Sequence, residues 1–99
     1  MLMQVQFPVE PFNTYVRDGS AGQKMKRILE AIKPEAAYFT AEDGHRGGTL
    51  VVNLNDPSEI PSLAEPWFLT FNAKVAIQPA MTPEDLARAG LDVLGKKWA

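Results

Sequence analysis

Cysteine is absent from the 99-residue chain, and histidine occurs once, as His45. Without cysteine the protein can form neither disulfide bridges nor cysteine-ligated zinc sites, so its stability must come from packing. A single histidine excludes a histidine-rich metal site within one chain, and a haem ligand of that type would have to be His45. The sequence therefore predicts a protein that works without a metal site or a cofactor.

Long apolar runs and clusters of basic residues are also missing. No stretch approaches the ~18 apolar residues of a membrane-spanning helix. The amino terminus, MLMQVQFPVE, lacks the basic region of a signal peptide. The formal net charge is -2 and the lysines and arginines are scattered, which disfavours a nucleic-acid partner. We therefore expect a soluble, cytoplasmic protein with no nucleic-acid and no membrane partner.

Apolar residues are nonetheless plentiful, at 45% of the chain. A chain of this length buries roughly 60–65% of its unfolded surface, which is enough for one hydrophobic core. No internal repeat, low-complexity tract or linker interrupts the sequence. Residues 1–99 are therefore expected to form a single domain.

The most informative stretch is Glu42–Asp56, EDGHRGGTLVVNLND. Its Asp-Gly and Gly-Gly pairs tolerate a positive φ, which predicts a β-hairpin with His45 and Arg46 at the tip. The next residues, 49–55, are apolar almost without interruption. A strand that is apolar on both sides is typical of the middle of a sheet.

The other elements are predicted from hydrophobic spacing and from proline and glycine positions. In chain order they are a strand over 1–7, a helix over 12–32, a strand over 36–42, a short helix after Asp56, a strand over 74–80 and a helix over about 83–94. Gly19 and Gly22 predict a break in the first long helix. Pro66 predicts the end of the short helix, and Gly95 predicts the end of the last one.

This order, β-α-β-β-α-β with an extra carboxyl-terminal helix, predicts an α+β protein with a ferredoxin-like fold. Such a fold has a four-stranded antiparallel sheet backed by two helices, with the first and third strands in the centre. The apolar character of the third strand fits that position.

The two faces of the predicted sheet differ in composition. The helix-covered face is expected to carry Met3, Val5, Val52, Leu54, Val75 and Ile77. The opposite face is expected to carry Gln4, Gln6, Thr49, Val51, Asn53, Ala76 and Gln78, with Tyr38 and Thr40 or their neighbours. That second set is uncharged, which suits a covered surface better than one open to water. It predicts a homodimer through the sheet face, with a solvated monomeric sheet as the alternative.

The segment Glu59–Met81, EIPSLAEPWFLTFNAKVAIQPAM, adds a proline-aromatic stretch followed by an edge strand that ends in proline. Together with the element order it resembles the dimeric α/β-barrel superfamily, and within it the muconolactone-isomerase-like proteins. The resemblance implies two sheets packed face to face in a homodimer, with a pocket for a small, often aromatic, molecule. Members include isomerases, cofactor-free monooxygenases, haem enzymes and proteins without known activity. No catalytic motif of these branches is present, so no catalytic residue is assigned.

Trp67 and Phe71 are the strongest candidates for a binding site. They are four residues apart and share a helical face, so they either fill the core or line a cavity between helix and sheet. If they line a cavity, the polar groups expected around it are Gln6, Tyr38, Asn53 and Asn72. Trp98, in the tail, is expected to anchor onto the partner subunit.

The sequence thus leaves two functions open. The first is a small homodimer that binds an aromatic or hydrophobic molecule in a pocket between sheet and helices, with cofactor-free isomerase or monooxygenase activity as one option. The alternative is a non-catalytic structural or interaction homodimer with a filled core. A cavity of about 300 Å3 or more beside Trp67, Phe71 and Tyr38 would favour the first.

Overall fold

A computed structural model describes all 99 residues as an α+β fold with one open, four-stranded antiparallel sheet and five α-helices. The elements are β1 (Leu2–Gln6), α1 (Val9–Asp18), α2 (Ala21–Ile32), β2 (Ala36–Glu42), β3 (His45–Val51), a 3-10 turn (Pro57–Glu59), α3 (Ile60–Phe71), β4 (Lys74–Gln78), α4 (Pro83–Arg88) and α5 (Leu91–Lys97).

The strand order in the sheet is β2-β3-β1-β4, and every neighbouring pair is antiparallel. The first and third strands are therefore central, as the sequence predicts. This order, with helices between β1 and β2 and between β3 and β4, is compatible with a ferredoxin-like arrangement. None of the helices combines the length and apolar character needed to cross a bilayer.

The hairpin is present but tighter than predicted. Asp43 and Gly44 both have a positive φ, of 52° and 74°, and Glu42 pairs directly with His45. Two positive φ angles are the signature of a type I′ turn, which closes a hairpin with only two residues. His45 and Arg46 therefore belong to β3 and do not form the tip. The strand spans 45–51 and not 49–55, because Asp43-Gly44 alone closes the turn and Gly47-Gly48 belongs to the strand.

Of the two predictions about where the earlier helices end, one is confirmed and the other is wrong. The predicted break near Gly19 is confirmed, since this residue has a φ of 82° and separates α1 from α2. The prediction that Pro66 ends its helix is wrong, because α3 continues through it to Phe71. Proline removes one backbone hydrogen bond, and the complete burial of Trp67 and Phe71 beyond it offsets that loss.

The last helix is also different from the predicted one over 83–94. Gly90 adopts a φ of 72° and divides it into α4 and α5. Gly95, the predicted end, lies inside α5, which extends to Lys97. A glycine in the left-handed region ends a helix, whereas a glycine with ordinary helical angles only weakens it.

The core lies between the sheet and one layer of helices. Its largest fully buried side chains are Trp67, Phe7, Phe71, Met3, Leu50 and Val52. The rings of Phe7 and Phe71 meet edge to face with centroids 5.1 Å apart, and Trp67 stacks on Phe71 at 6.4 Å. The Nε1–H group of Trp67 has no hydrogen-bond acceptor in this apolar interior.

The other side of the sheet is uncovered, and we call it the open face. The strand register shows which side chains point to this face, and they are the ones predicted from alternation. They are Gln4, Gln6, Tyr38, Thr40, Thr49, Val51, Ala76 and Gln78. Two details differ from the sequence-based set. Asn53 lies beyond β3 in an exposed loop, and the end of the face near the hairpin carries Glu42 and Lys74. The open face is therefore uncharged at its centre and charged at one end.

Residues 79–99 form a carboxyl-terminal arm that projects from the rest of the molecule. No residue of the arm is buried, and only Asp85 and Gly90 are half-buried. The molecule measures 60 × 28 × 18 Å, and its Cα radius of gyration is 17.1 Å, against about 13 Å for a compact chain of this length. The arm accounts for this elongated shape.

Replacement of Trp67 by alanine is expected to lower the free energy of unfolding by about 3–5 kcal/mol, because the cavity left in the core cannot collapse fully. The control is Leu69→Ala on the same helix. Leu69 is 82% exposed, so its loss is expected to change stability by no more than about 0.5 kcal/mol. Urea titration followed by circular dichroism measures both, and equal losses would contradict the assigned core.

Candidate functional site

An apolar cleft of about 540 Å3 opens between the α1-α2 pair and the β2-β3 hairpin. We call it the hairpin-helix cleft. Its volume lies within the range of small-molecule sites, which are mostly apolar with a few polar groups that orient the ligand. The side chains that matter most for its chemistry are Phe12, Met25, Phe39, Thr40 and Arg46.

Phe39 forms one wall of the cleft because its cross-strand neighbour is a glycine. The register pairs Phe39 with Gly48. A Cβ atom at position 48 would lie 2.8 Å from Cδ1 of the Phe39 ring, closer than such atoms approach in proteins. The glycine therefore leaves the ring room to lie across the strand, where it remains 46% exposed.

Phe12 forms the facing wall and is held in place by the core. Its ring stacks on Phe71 with centroids 4.9 Å apart and an interplanar angle of 23°, and it meets Phe7 edge to face at 5.2 Å. Aromatic contacts of this kind add to the energy of burial. The wall is therefore rigid, which favours a preformed site over one that has to assemble around a ligand.

Arg46 supplies the only charge in the cleft lining. Its guanidinium carbon lies 4.5 Å from the centroid of the Phe12 ring. The Arg46 side chain takes part in none of the side-chain hydrogen bonds or ion pairs within the chain. A stacked guanidinium keeps its N–H donors in the plane of the group, where they can bind a planar acceptor.

The charge of Arg46 acts on the carboxylate of Glu10, but this carboxylate already has hydrogen-bond partners of its own. Glu10 accepts hydrogen bonds from the backbone N and the Oγ1 of Thr14, at 2.9 and 2.8 Å, and lies 3.7 Å from Arg17. These hydrogen bonds from Thr14 lower the pKa of Glu10, and the charges of Arg17 and Arg46 add smaller contributions. Glu10 is thus an anion satisfied by its own helix, and Arg46 keeps its donors free.

Two of the residues predicted from the sequence come together in a second, polar cleft. Gln6 and Asn72 both line a space of about 550 Å3 at the end of β1, together with His45 and Lys74. Asn72 occupies this place because it caps α3 in the left-handed region, with a φ of 55°. The imidazole Nδ1 of His45 lies 3.0 Å from the backbone oxygen of Asp43.

The other predicted residues lie elsewhere. Trp67 and Phe71 are completely buried, and neither lines any of the five clefts found in the molecule. Tyr38 is 72% exposed on the open face, and Asn53 lies in an exposed loop. The six predicted residues therefore do not form one site. Gln6 and Asn72 share the polar cleft, and Trp67 and Phe71 share the core. Tyr38 and Asn53 lie apart from both pairs.

The residues of the hairpin-helix cleft are absent from the sequence-based site. Arg46 is missed because the sequence places it at a solvated turn. The signal that could have revealed the cleft is the combination of Phe39 and Gly48, which become neighbours once the hairpin is closed at Asp43-Gly44. An aromatic residue paired with a glycine across two strands indicates a ring lying over the backbone.

No protein-family model matches the chain, and no curated protein is significantly similar to it. No group of three or more histidine, cysteine, aspartate or glutamate side chains is placed to hold a metal ion. Apolar walls with one free guanidinium suit the binding of a flat molecule that carries an acidic group.

Gly48→Ala is expected to lower the free energy of unfolding by about 1–3 kcal/mol, because the added methyl group overpacks against the Phe39 ring. Gly22→Ala is the matched control, since a Cβ there would meet nothing within 4 Å and alanine favours a helix. Chemical denaturation measures the stability, and NMR shifts of the Phe39 ring report its displacement. A Gly48→Ala variant as stable as the wild type would contradict this account of the cleft wall.

Proposed function

We propose that this protein binds a small, flat, aromatic or hydrophobic molecule with an acidic group in the hairpin-helix cleft. The observation that carries the proposal is the guanidinium of Arg46, stacked on Phe12 with its donors unused at the border of an apolar cleft. A carboxylate would satisfy these donors in the bidentate geometry that arginine prefers. The aromatic ring of the ligand would lie between Phe12 and Phe39.

Binding is favoured over catalysis in this cleft. Its lining contains no carboxylate, imidazole or phenol that could give or take a proton, and general acid-base catalysis needs such a group within reach of the substrate. Isomerase or monooxygenase activity, which the resemblance to muconolactone-isomerase-like proteins suggests, would require groups from another part of the molecule or from a second copy.

We further propose that two copies pair through their open faces, as in the dimeric α/β barrels that the sequence resembles. The uncharged part of this face, which runs from Gln4 and Thr49 at its centre to Val51 at the end away from the hairpin, supports the pairing, because surface strands facing water usually carry charges. The alternative function, a non-catalytic interaction homodimer, is favoured by one observation. Trp67 and Phe71 are completely buried in the core, and neither lines any of the five clefts.

The binding proposal predicts that 2-naphthoate binds the protein and that Arg46→Met weakens this binding by about tenfold or more, because a charge-assisted hydrogen bond is worth about 1.5–3 kcal/mol. Titration calorimetry, or NMR shift mapping for weaker binding, measures the dissociation constant. The neutral analogue 2-naphthylmethanol is expected to bind both proteins equally, because it lacks the carboxylate.

Arg27→Met is the matched control for that experiment. Arg27 lines a different cleft, between α2 and α3, so its replacement is expected to leave the affinity for 2-naphthoate unchanged. Equal weakening by Arg27→Met would show that only the net charge matters. Shifts confined to residues outside the hairpin-helix cleft would contradict the proposed site.

The pairing proposal predicts that Val51→Lys yields a folded monomer, because it places an unpaired charge in a desolvated interface. Leu69→Lys introduces the same charge on the exposed side of α3 and is expected to leave the dimer intact. Light scattering after size-exclusion chromatography measures the mass of each. A dimer that survives Val51→Lys would contradict pairing through the open face.

A further inference from the structure

The two helices of the carboxyl-terminal arm are too short to be stable by themselves. The helix α4 has six residues and α5 has seven, whereas isolated helices below about 12–15 residues are only marginally stable in water. At the cap, the Oγ1 of Thr82 accepts a hydrogen bond from the backbone N–H of Asp85, and the backbone N–H of Thr82 donates one to the Asp85 carboxylate, which stabilises only the first turn of α4. Both helices therefore need a surface to pack on, and none of their residues is buried in the single chain.

The arm carries an apolar face that fits such a surface. Leu91, Leu94 and Trp98 are spaced three and four residues apart, so they lie on one side of α5. They are 58%, 44% and 77% exposed, and Met81 and Leu86 add to the exposed apolar surface of the arm. The arm therefore presents several large apolar side chains to water, which marks a surface that a partner can cover.

We propose that the arm docks on a second copy of this chain, so that two copies exchange arms. The proposal rests on the proposed homodimer and extends it. A standard interface buries about 800 Å2 of surface on each partner. The strands of the open face are short, so the face and the arm together reach this area more readily than either does alone. Because the exchange is symmetric, each copy offers one arm and receives one.

The receiving surface is the edge of the partner's open face along β2. Tyr38 stands there 72% exposed, and the strand has no lysine or proline to protect its edge. The charges are also complementary. Lys96 and Lys97 at the end of the arm match Glu42 and Asp43 at the end of the partner's hairpin.

The first test compares two full-length variants by sedimentation over a concentration series. Leu94→Lys places a charge on the apolar side of α5 and is expected to raise the dimer dissociation constant at least tenfold. Val93→Lys is the matched control, because Val93 lies on the opposite side of the helix although it is 66% exposed. Equal dissociation constants for the two variants would overturn the proposal.

The second test uses the absence of cysteine from the chain. A variant with both Glu42→Cys and Ala99→Cys, which places one thiol at the hairpin end of β2 and one at the end of the arm, is oxidised and run on a non-reducing gel, beside each single variant. Arm exchange predicts a covalent dimer that forms far more readily in the double variant than in either single one. A product that runs as a monomer, whether oxidised within the chain or not oxidised, would overturn the exchange.

These outcomes separate the failure of this inference from the failure of the proposed function. If Val51→Lys dissociates the dimer while Leu94→Lys does not, pairing through the sheet stands and arm exchange is wrong. A wild-type chain that is monomeric at every concentration overturns both the pairing and the exchange. Binding of 2-naphthoate reports on the hairpin-helix cleft alone and is expected to be unchanged by Leu94→Lys.

Discussion

The burial of Trp67 and Phe71 is the interaction on which the rest of the structure depends. Both side chains are completely removed from solvent, and their burial is worth several kcal/mol. This energy carries α3 through Pro66, where backbone preference alone would end it. Phe71 also stacks on Phe12, so the same core residue that holds α3 against the sheet positions one wall of the cleft. The core and the wall of the hairpin-helix cleft therefore belong to one network of aromatic contacts.

Much of the fold follows from local signals in the sequence. The strand order, the break at Gly19 and the assignment of residues to the two faces of the sheet depend on alternation and on glycine, which act over a few residues. The errors fall where long-range packing competes with local preference. The continuation of α3 through Pro66 depends on partners distant in sequence, such as the rings of Phe7 and Phe12 that pack against Phe71. The division of the last helix at Gly90 depends on a φ angle that composition does not specify.

The candidate site was harder to predict than the fold. A cleft forms from residues distant in sequence, and here the pairing of Phe39 with Gly48 depends on the register of the hairpin. Because the sequence places the turn two residues too late, Arg46 is assigned to solvent and the cleft is missed. Trp67 and Phe71 are correctly assigned to one helical face, but the choice between core and cavity wall depends on how α1 packs against them. No periodicity in the sequence carries that information.

The two tryptophans of the chain occupy opposite extremes of environment. Trp67 lies in a dry interior with its indole N–H unbonded, whereas Trp98 is 77% exposed near the end of the arm. Indole fluorescence shifts to shorter wavelength when water is removed from the ring, so the two residues emit in different parts of the spectrum. The short-wavelength part follows the integrity of the core, and the long-wavelength part follows whether the arm is free or covered. The chain thus carries one intrinsic fluorescent reporter for its core and another for its arm, without any added dye.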